Sequence, residues 1–163
     1  MRLFVTGASG FIGKNFCKKA LKKGHVIYAP TRKKKFPYFH KNMIWLSGKF
    51  YHNWKKALSN SNILVHFAAS GIKYDDANDI YDVNVFYSLK LLKNSISNNC
   101  KNWLIISSSS EYGLKKKKTF FNIKTNRIPE TNYGLSKAIF TDQSIELAKK
   151  HNCKLRIMRL FSI

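Results

Sequence analysis

Short runs rich in Val, Ile, Leu and aromatic residues recur at about 2–6, 25–30, 43–47, 63–68, 102–107 and 154–161. Each is bounded by polar or turn residues and reads as a β-strand. Between them the apolar spacing changes to that of helices. Phe11–Lys23 carries Ile12, Phe16, Ala20 and Leu21 on one stripe and stops at Gly24. Asn78–Ile96 repeats the pattern with Ile80, Val83, Leu89, Leu92 and Ile96, and Tyr133–Lys150 with Ala138, Ile145 and Ala148. Residues 31–42 and 113–130 read as loops, the first with Pro37 and the second with Pro129. Strand and helix alternate strictly, which predicts an α/β fold. Right-handed crossovers then make it a doubly wound parallel sheet. Neither an internal repeat nor an interdomain linker interrupts the pattern, so residues 1–163 are expected to form one domain.

The junction of the first strand and first helix carries the first chemical signal. Leu3–Val5 runs into Gly7, Gly10 and Gly13, and the helical stripe begins at once. Glycines let a backbone turn sharply and approach a pyrophosphate, while a fresh helix start offers unpaired N–H groups and a positive dipole end. Strand, glycine turn and helix together form the entry to a dinucleotide-binding βαβ unit. The spacing is Gly-x-x-Gly-x-x-Gly.

Composition narrows the frame. A chain of 163 residues buries about 70% of its unfolded surface, enough for a core. No signal peptide precedes the first strand and no apolar run reaches the ~20 residues of a membrane span, so a soluble, cytoplasmic protein is expected. Cys17, Cys100 and Cys153 are scattered and odd in number, which suggests free thiols and no metal site. Thirty Lys+Arg against eight Asp+Glu give a net charge of +22, a balance that raises nucleic acid as a partner. Yet the only arginines are Arg2, Arg32, Arg127, Arg156 and Arg159, and the basic residues are dispersed apart from Arg32–Lys35 and Lys115–Lys118. A solvated basic surface that attracts anionic nucleotides accounts for the charge without a specific nucleic-acid partner.

A second constellation lies downstream. Tyr133-Gly-Leu-Ser-Lys137 opens the last long helix after Thr131-Asn132, a polar pair able to cap it. Residues four apart share a helix face, about 6 Å apart along the axis. Lys137 is therefore expected to lower the Tyr133 pKa toward a range useful for proton transfer. Ser107-Ser-Ser-Ser-Glu-Tyr-Gly113 ends the fifth strand, where open α/β sheets place ligands. Taken singly, Tyr133 is also compatible with an interfacial aromatic and the serines with a polar turn. His66, in an apolar strand, reads as a core or cofactor-wall residue, and Glu111 as a surface carboxylate.

In combination these segments resemble the extended short-chain dehydrogenase/reductase family of NAD(P)-dependent nucleotide-sugar epimerases, dehydratases and reductases. The resemblance covers essentially the whole chain and implies an NAD(P)-binding Rossmann fold. Thr6-Gly-Ala-Ser-Gly-Phe-Ile-Gly13 is similar to the family's cofactor turn, which implies cofactor contacts at Gly7, Ser9, Gly10, Phe11, Ile12 and Gly13. Val65-His-Phe-Ala-Ala69 is similar to the segment that lines the cofactor, adding Phe67, Ala68 and Ala69. Asn84 falls where the family has a structurally important asparagine and is counted with the cofactor residues. The family's catalytic Ser/Thr lies four residues before the tyrosine of Tyr-Gly, which selects Ser108, and Tyr133 and Lys137 match the catalytic pair. The implied mechanism has Tyr133 move a proton of a sugar hydroxyl while hydride passes to the nicotinamide. Ser108 would steady the same oxygen, and Lys137 would orient the ribose. Epimerisation and ketosugar reduction both follow from that set, and the family implies a homodimer.

Several positions depart from the pattern. An acidic residue usually grips NAD at the end of the second strand. Thr31 stands there, followed by Arg32 and three lysines, which favours NADP over NAD. Lys49 replaces a frequent aspartate near the adenine. Ser109 and Ser110 stand where the sugar 4,6-dehydratases carry an acidic pair, which disfavours that subtype. The family continues past a strand like Leu155–Phe161 into a substrate domain, whereas this sequence stops at Ser162-Ile163. A C-terminally truncated Rossmann domain with an exposed apolar sheet edge is the expectation. A non-catalytic cofactor-binding module is the alternative, and a basic nucleic-acid binder a more distant one.

Overall fold

The computed structural model describes residues 1–32, 36–47, 54–71, 77–113 and 120–161. Lys49 and both lysine runs, apart from Arg32, lie outside them. Six strands form one all-parallel sheet: β1 (Arg2–Thr6), β2 (Val26–Thr31), β3 (Met43–Ser47), β4 (Ile63–His66), β5 (Asn102–Ser108) and β6 (Lys154–Leu160). Their order across the sheet is β3-β2-β1-β4-β5-β6. This is the doubly wound Rossmann arrangement that strict alternation predicts. Every expected strand is present within two residues of its ends.

Alternation along the strands splits the core into two layers. Leu3 and Val5 point to one face, where they pack with Cys17, Ala20 and Leu21 of α1 (Phe11–Lys22). Phe4 points to the other face and joins Trp54, Ala57 and Leu58 of α2 (Trp54–Ser59). Leu91 and Leu92 of α4 (Ser88–Ser97) and Phe140 and Ala148 of α5 (Asn132–Lys150) complete that second layer. Helix α2 has no counterpart in the sequence reading, because six residues are too short to display a helical period.

The expected helix over Asn78–Ile96 is not one regular α-helix. It comprises α3 (Ala77–Tyr81), a π-helical stretch (Asp82–Tyr87) and α4. The wider turn rotates the buried face onto Asn84, Val85, Ser88, Leu91, Leu92 and Ser95, and Val83 and Leu89 end only half-buried. The Ser88 hydroxyl donates to the Val83 carbonyl five residues back at 2.8 Å, which supports the widened turn. β6 is an edge strand of the described sheet, with Met158 exposed and Leu155 and Ile157 half-buried.

Candidate active site

Because all six strands run the same way, their C-terminal ends lie along one edge of the sheet. The order reverses direction between β1 and β4, and such a switch point opens a crevice at that edge. The glycine turn leaves β1 there. Gly7 has φ of +68°, and a Cβ on it would stand 2.8 Å from the Ala68 nitrogen and 2.9 Å from the Phe67 carbonyl carbon. A Cβ on Gly13 would stand 2.2 Å from the Gly7 carbonyl oxygen. Both glycines are therefore demanded by the fold itself, the first by backbone angle and crowding, the second by helix–turn contact. Gly10 differs. Its Cβ would meet only the Gly7 oxygen, at 3.3 Å.

Gly10 is also the N-cap of α1, so no side chain caps the helix, and its first turn holds no acidic residue. Phe11 and Ile12 are exposed beside it, as are Ser9 and Gly10. An open, positive helix start framed by backbone is the geometry that suits a pyrophosphate. Phe67 and Ala68 are half-buried and Ala69 exposed where β4 leaves the sheet next to this turn. At the end of β2, Thr31 is buried and Arg32 exposed.

Two strands further on, β5 ends at Ser108, which leads into a 3₁₀ turn, Ser109–Tyr112. The Ser108 hydroxyl accepts from the Ser110 N–H at 3.1 Å and faces the Ser110 hydroxyl at 3.0 Å. Helix α5 starts opposite, capped by Thr131, whose hydroxyl accepts from the Gly134 N–H at 3.0 Å. A Cβ on Gly134 would stand 2.4 Å from the Ser110 carbonyl oxygen, so glycine lets the helix start lie directly against the serine turn. Ser108, Tyr133 and Lys137 are thereby brought together.

The electrostatics of this trio differ from the expectation. Lys137 does not draw down the Tyr133 pKa. Burial raises it, a hydrogen bond with Ser108 opposes the rise, and the Glu111 carboxylate adds to it. The reason lies in where the ammonium goes: Lys137 Nζ donates to the Ile106 carbonyl at 2.7 Å, and the residue is buried. Burial pushes the lysine itself down to about 8, with Glu111 acting the other way.

Glu111 is a second correction. It is not a surface carboxylate but is completely buried. One oxygen accepts from Thr141 Oγ1 at 2.7 Å and from the Ser107 hydroxyl. The other accepts from Arg159 Nε at 2.7 Å and Arg127 Nη1 at 3.2 Å. Arg127 also pairs with Asp142 at 2.6 Å. Four donors, two of them cationic, make up for the water this carboxylate has lost.

His66 belongs to a different buried network. Ser88 donates to Val83, so its oxygen is free to accept from His66 Nε2 at 2.9 Å. Nδ1 then accepts from Thr6 Oγ1 at 2.7 Å, and Thr6 in turn accepts from the Ala68 N–H at 3.3 Å. The imidazole is neutral with its proton on Nε2. Burial, reinforced by the Lys137 charge, holds its pKa down at about 3. Asn84 is braced as well. Its amide accepts from Ser70 N at 2.8 Å and donates to Ser70 O at 3.0 Å and Ser136 Oγ at 3.1 Å. Both amide hydrogens are used, so the side chain ties the exit of β4 to α5.

Three contributors escaped the sequence reading: Gly134, Thr141 and the buried state of Glu111. A usable signal for the last was its company. A carboxylate between Ser110 and Tyr112, in a chain with eight acidic residues against thirty basic ones, has cations to spare.

A six-stranded parallel sheet with an open glycine-framed helix start and a Ser–Tyr–Lys cluster on one edge defines a Rossmann-type α/β protein. The comparisons specify it further. Residues 3–163 match the model of the NAD dependent epimerase/dehydratase family, and the chain belongs to that family. UDP-glucose 4-epimerase of Vibrio cholerae is 29% identical over 171 residues, covering 96% of this chain and 50% of that protein. Among solved structures, UDP-glucuronic acid 4-epimerase from Bacillus cereus in complex with NAD superposes with a TM-score of 0.84 at 21% identity, covering 98% of this chain and 56% of that one. UDP-glucose 4-epimerase from Thermotoga maritima with UDP-glucose gives a TM-score of 0.83 at 20% identity, covering 98% and 55%. The chain spans about half the length of these relatives. No described helix is long and apolar enough to cross a membrane, and the described residues contain no cluster of metal-ligating side chains.

Proposed function

We propose that this chain carries the cofactor and reaction centre of an NAD(P)-dependent oxidoreductase acting on a nucleotide-sugar, as an epimerase or a ketosugar reductase. The observation that carries the reading is one sheet edge holding both the uncapped glycine turn after β1 and the Ser108–Tyr133–Lys137 trio. Family membership and UDP-sugar epimerases among its relatives support it.

The donor set fits a dinucleotide. The open start of α1, with Gly7, Ser9, Gly10, Phe11, Ile12 and Gly13, would hold the pyrophosphate, and Phe67, Ala68 and Ala69 would wall the crevice. Tyr133 and Lys137 would meet the ribose, with Asn84 bracing from behind. Exposed Arg32 beside Thr31, with no carboxylate at that position, favours the 2′-phosphate of NADP. When bound, the nicotinamide supplies a hydride donor or acceptor. The residues of this chain handle the proton. Burial keeps the proton on the Tyr133 oxygen at neutral pH, so the phenol is loaded to donate to the oxygen of a ketosugar. In the opposite direction the phenolate takes that proton back from the sugar hydroxyl. Ser108 hydrogen-bonds the same oxygen and limits the charge it develops. Ser109 and Ser110 offer no acid or base for eliminating water, which argues against a 4,6-dehydratase. The nucleotide-sugar is the partner expected from this reading, and a homodimer its assembly.

Calorimetric titration of the purified chain with NADP and with NAD tests the cofactor half of the proposal. NADP is expected to bind more tightly. Equal or tighter NAD binding overturns the Arg32 argument, and no binding of either dinucleotide overturns the function. Interconversion of UDP-glucose and UDP-galactose, followed by chromatography, tests the other half.

A further inference from the structure

Glu111 is the only buried carboxylate among the described residues; Asp79, Asp82, Glu130, Asp142 and Glu146 are all exposed. It engages two of the chain's arginines. It touches every element that carries the trio. Ser107, the neighbour of Ser108, donates to it from the end of β5. Thr141, one turn beyond Lys137 on the same face of α5, donates to it at 2.7 Å. Arg127 reaches it from the loop before α5, and Arg159 from the end of β6. We propose that Glu111 is the positioning residue of the reaction centre: its carboxylate clamps the Ser108 end of β5 to the Tyr133–Lys137 face of α5, so that the Lys137 ammonium is kept on the Ile106 carbonyl. This inference rests on the function proposed above for the trio.

The surroundings of Lys137 make its titration the reporter. The ammonium sits against the Ile106 carbonyl of β5, 5.8 Å from the Phe140 ring centre. Among the described residues, His66 on β4 and Glu111 in the 3₁₀ turn are coupled to its charge, and Tyr133 stands four residues back on its own helix. Arg127 and Arg159 stand behind Glu111. His66 is neutral across the working range, and among the described residues Glu111 is the anion that acts on Lys137. It favours the protonated lysine.

The experiment is NMR titration of the full chain carrying ¹³C-labelled lysine, with the Lys137 signal assigned through Lys137→Arg. Glu111→Gln is expected to move the Lys137 midpoint to lower pH by about half a unit or more. Glu111→Asp, which keeps the charge, should return most of that shift. Arg127→Gln, at a half-exposed position, should move the midpoint the opposite way because it unmasks the carboxylate. If Glu111→Gln does not fold, the direction of the Arg127→Gln shift decides the matter. An unmoved midpoint in the folded variants, with only the melting temperature lowered, overturns the proposal. These titrations need neither dinucleotide nor sugar. Absence of turnover would therefore defeat the proposed function alone, and an unmoved Lys137 in an active protein would defeat the role of Glu111 alone.

Discussion

The glycine turn and the Ser–Tyr–Lys centre lie on the same sheet edge but are built on opposite principles. The turn works by omission: Gly7 and Gly13 remove side chains so that backbone meets backbone, and Gly10 leaves the helix start uncovered. The centre works by burial of polar groups. Lys137 and Glu111 are inside the protein, and each is held by named partners. Damage to the first is steric and immediate, whereas damage to the second is electrostatic and depends on what else is nearby. A substitution can therefore separate them.

The largest separation is expected from Tyr133→Phe. It removes the hydroxyl proposed to carry the proton and should lower nucleotide-sugar turnover by about 10²–10⁴-fold, while dinucleotide affinity, which loses one ribose contact, falls far less and the melting temperature stays nearly unchanged. Steady-state kinetics beside calorimetry would show the split, and a parallel loss of binding would blur the two regions into one.

Gly13→Ala should act in the reverse sense. A methyl group 2.2 Å from a backbone oxygen cannot be accommodated without moving the turn, so a loss of about 3 kcal/mol in stability is expected, with dinucleotide binding lost as well. Denaturant unfolding gives the first quantity directly.

Acid should expose the neutral network. The folded-state pKa of His66 is about 3, below the ordinary histidine value of about 6.5. Below that value the unfolded chain binds a proton that the folded chain refuses. Stability from this group is then whole above about pH 6.5 and falls by up to about 1.4 kcal/mol per pH unit toward pH 3. Unfolding curves of the native chain and of His66→Gln across this range should converge as the pH drops. A constant gap would mean that His66 titrates normally.

The smallest effect on stability belongs to Gly10→Ala, under about 1 kcal/mol, because its Cβ meets one atom at 3.3 Å. Dinucleotide affinity should nonetheless drop, since the methyl group occupies the space in front of the helix start. If affinity holds, Gly10 has no ligand-facing role.

The difference between the two regions also explains which of them could be read in advance. The glycine turn is contiguous in sequence, and its strand and helix are adjacent runs with clear periods, so fold class, strand positions and turn all follow from the amino-acid order. Helix α5 is a harder case. Its buried face includes Ser136, Lys137, Thr141 and Ser144, so the apolar stripe that marks an ordinary helix is thin. The π-helical stretch escaped because hydrophobic spacing carries no sign of a single widened turn.

By itself, then, the amino-acid order determined the alternating architecture and the glycine turn, which rest on local spacing and backbone sterics, and it singled out Ser108, Tyr133 and Lys137 as candidates through their likeness to a family pattern. Only the tertiary structure decided their charge states. Lys137 points to Ile106 instead of lowering the Tyr133 pKa, and Glu111 lies inside with Arg127 and Arg159 instead of on the surface. A pKa is set by burial and by charges brought from distant parts of the chain, and neither quantity exists until the strands and helices have packed.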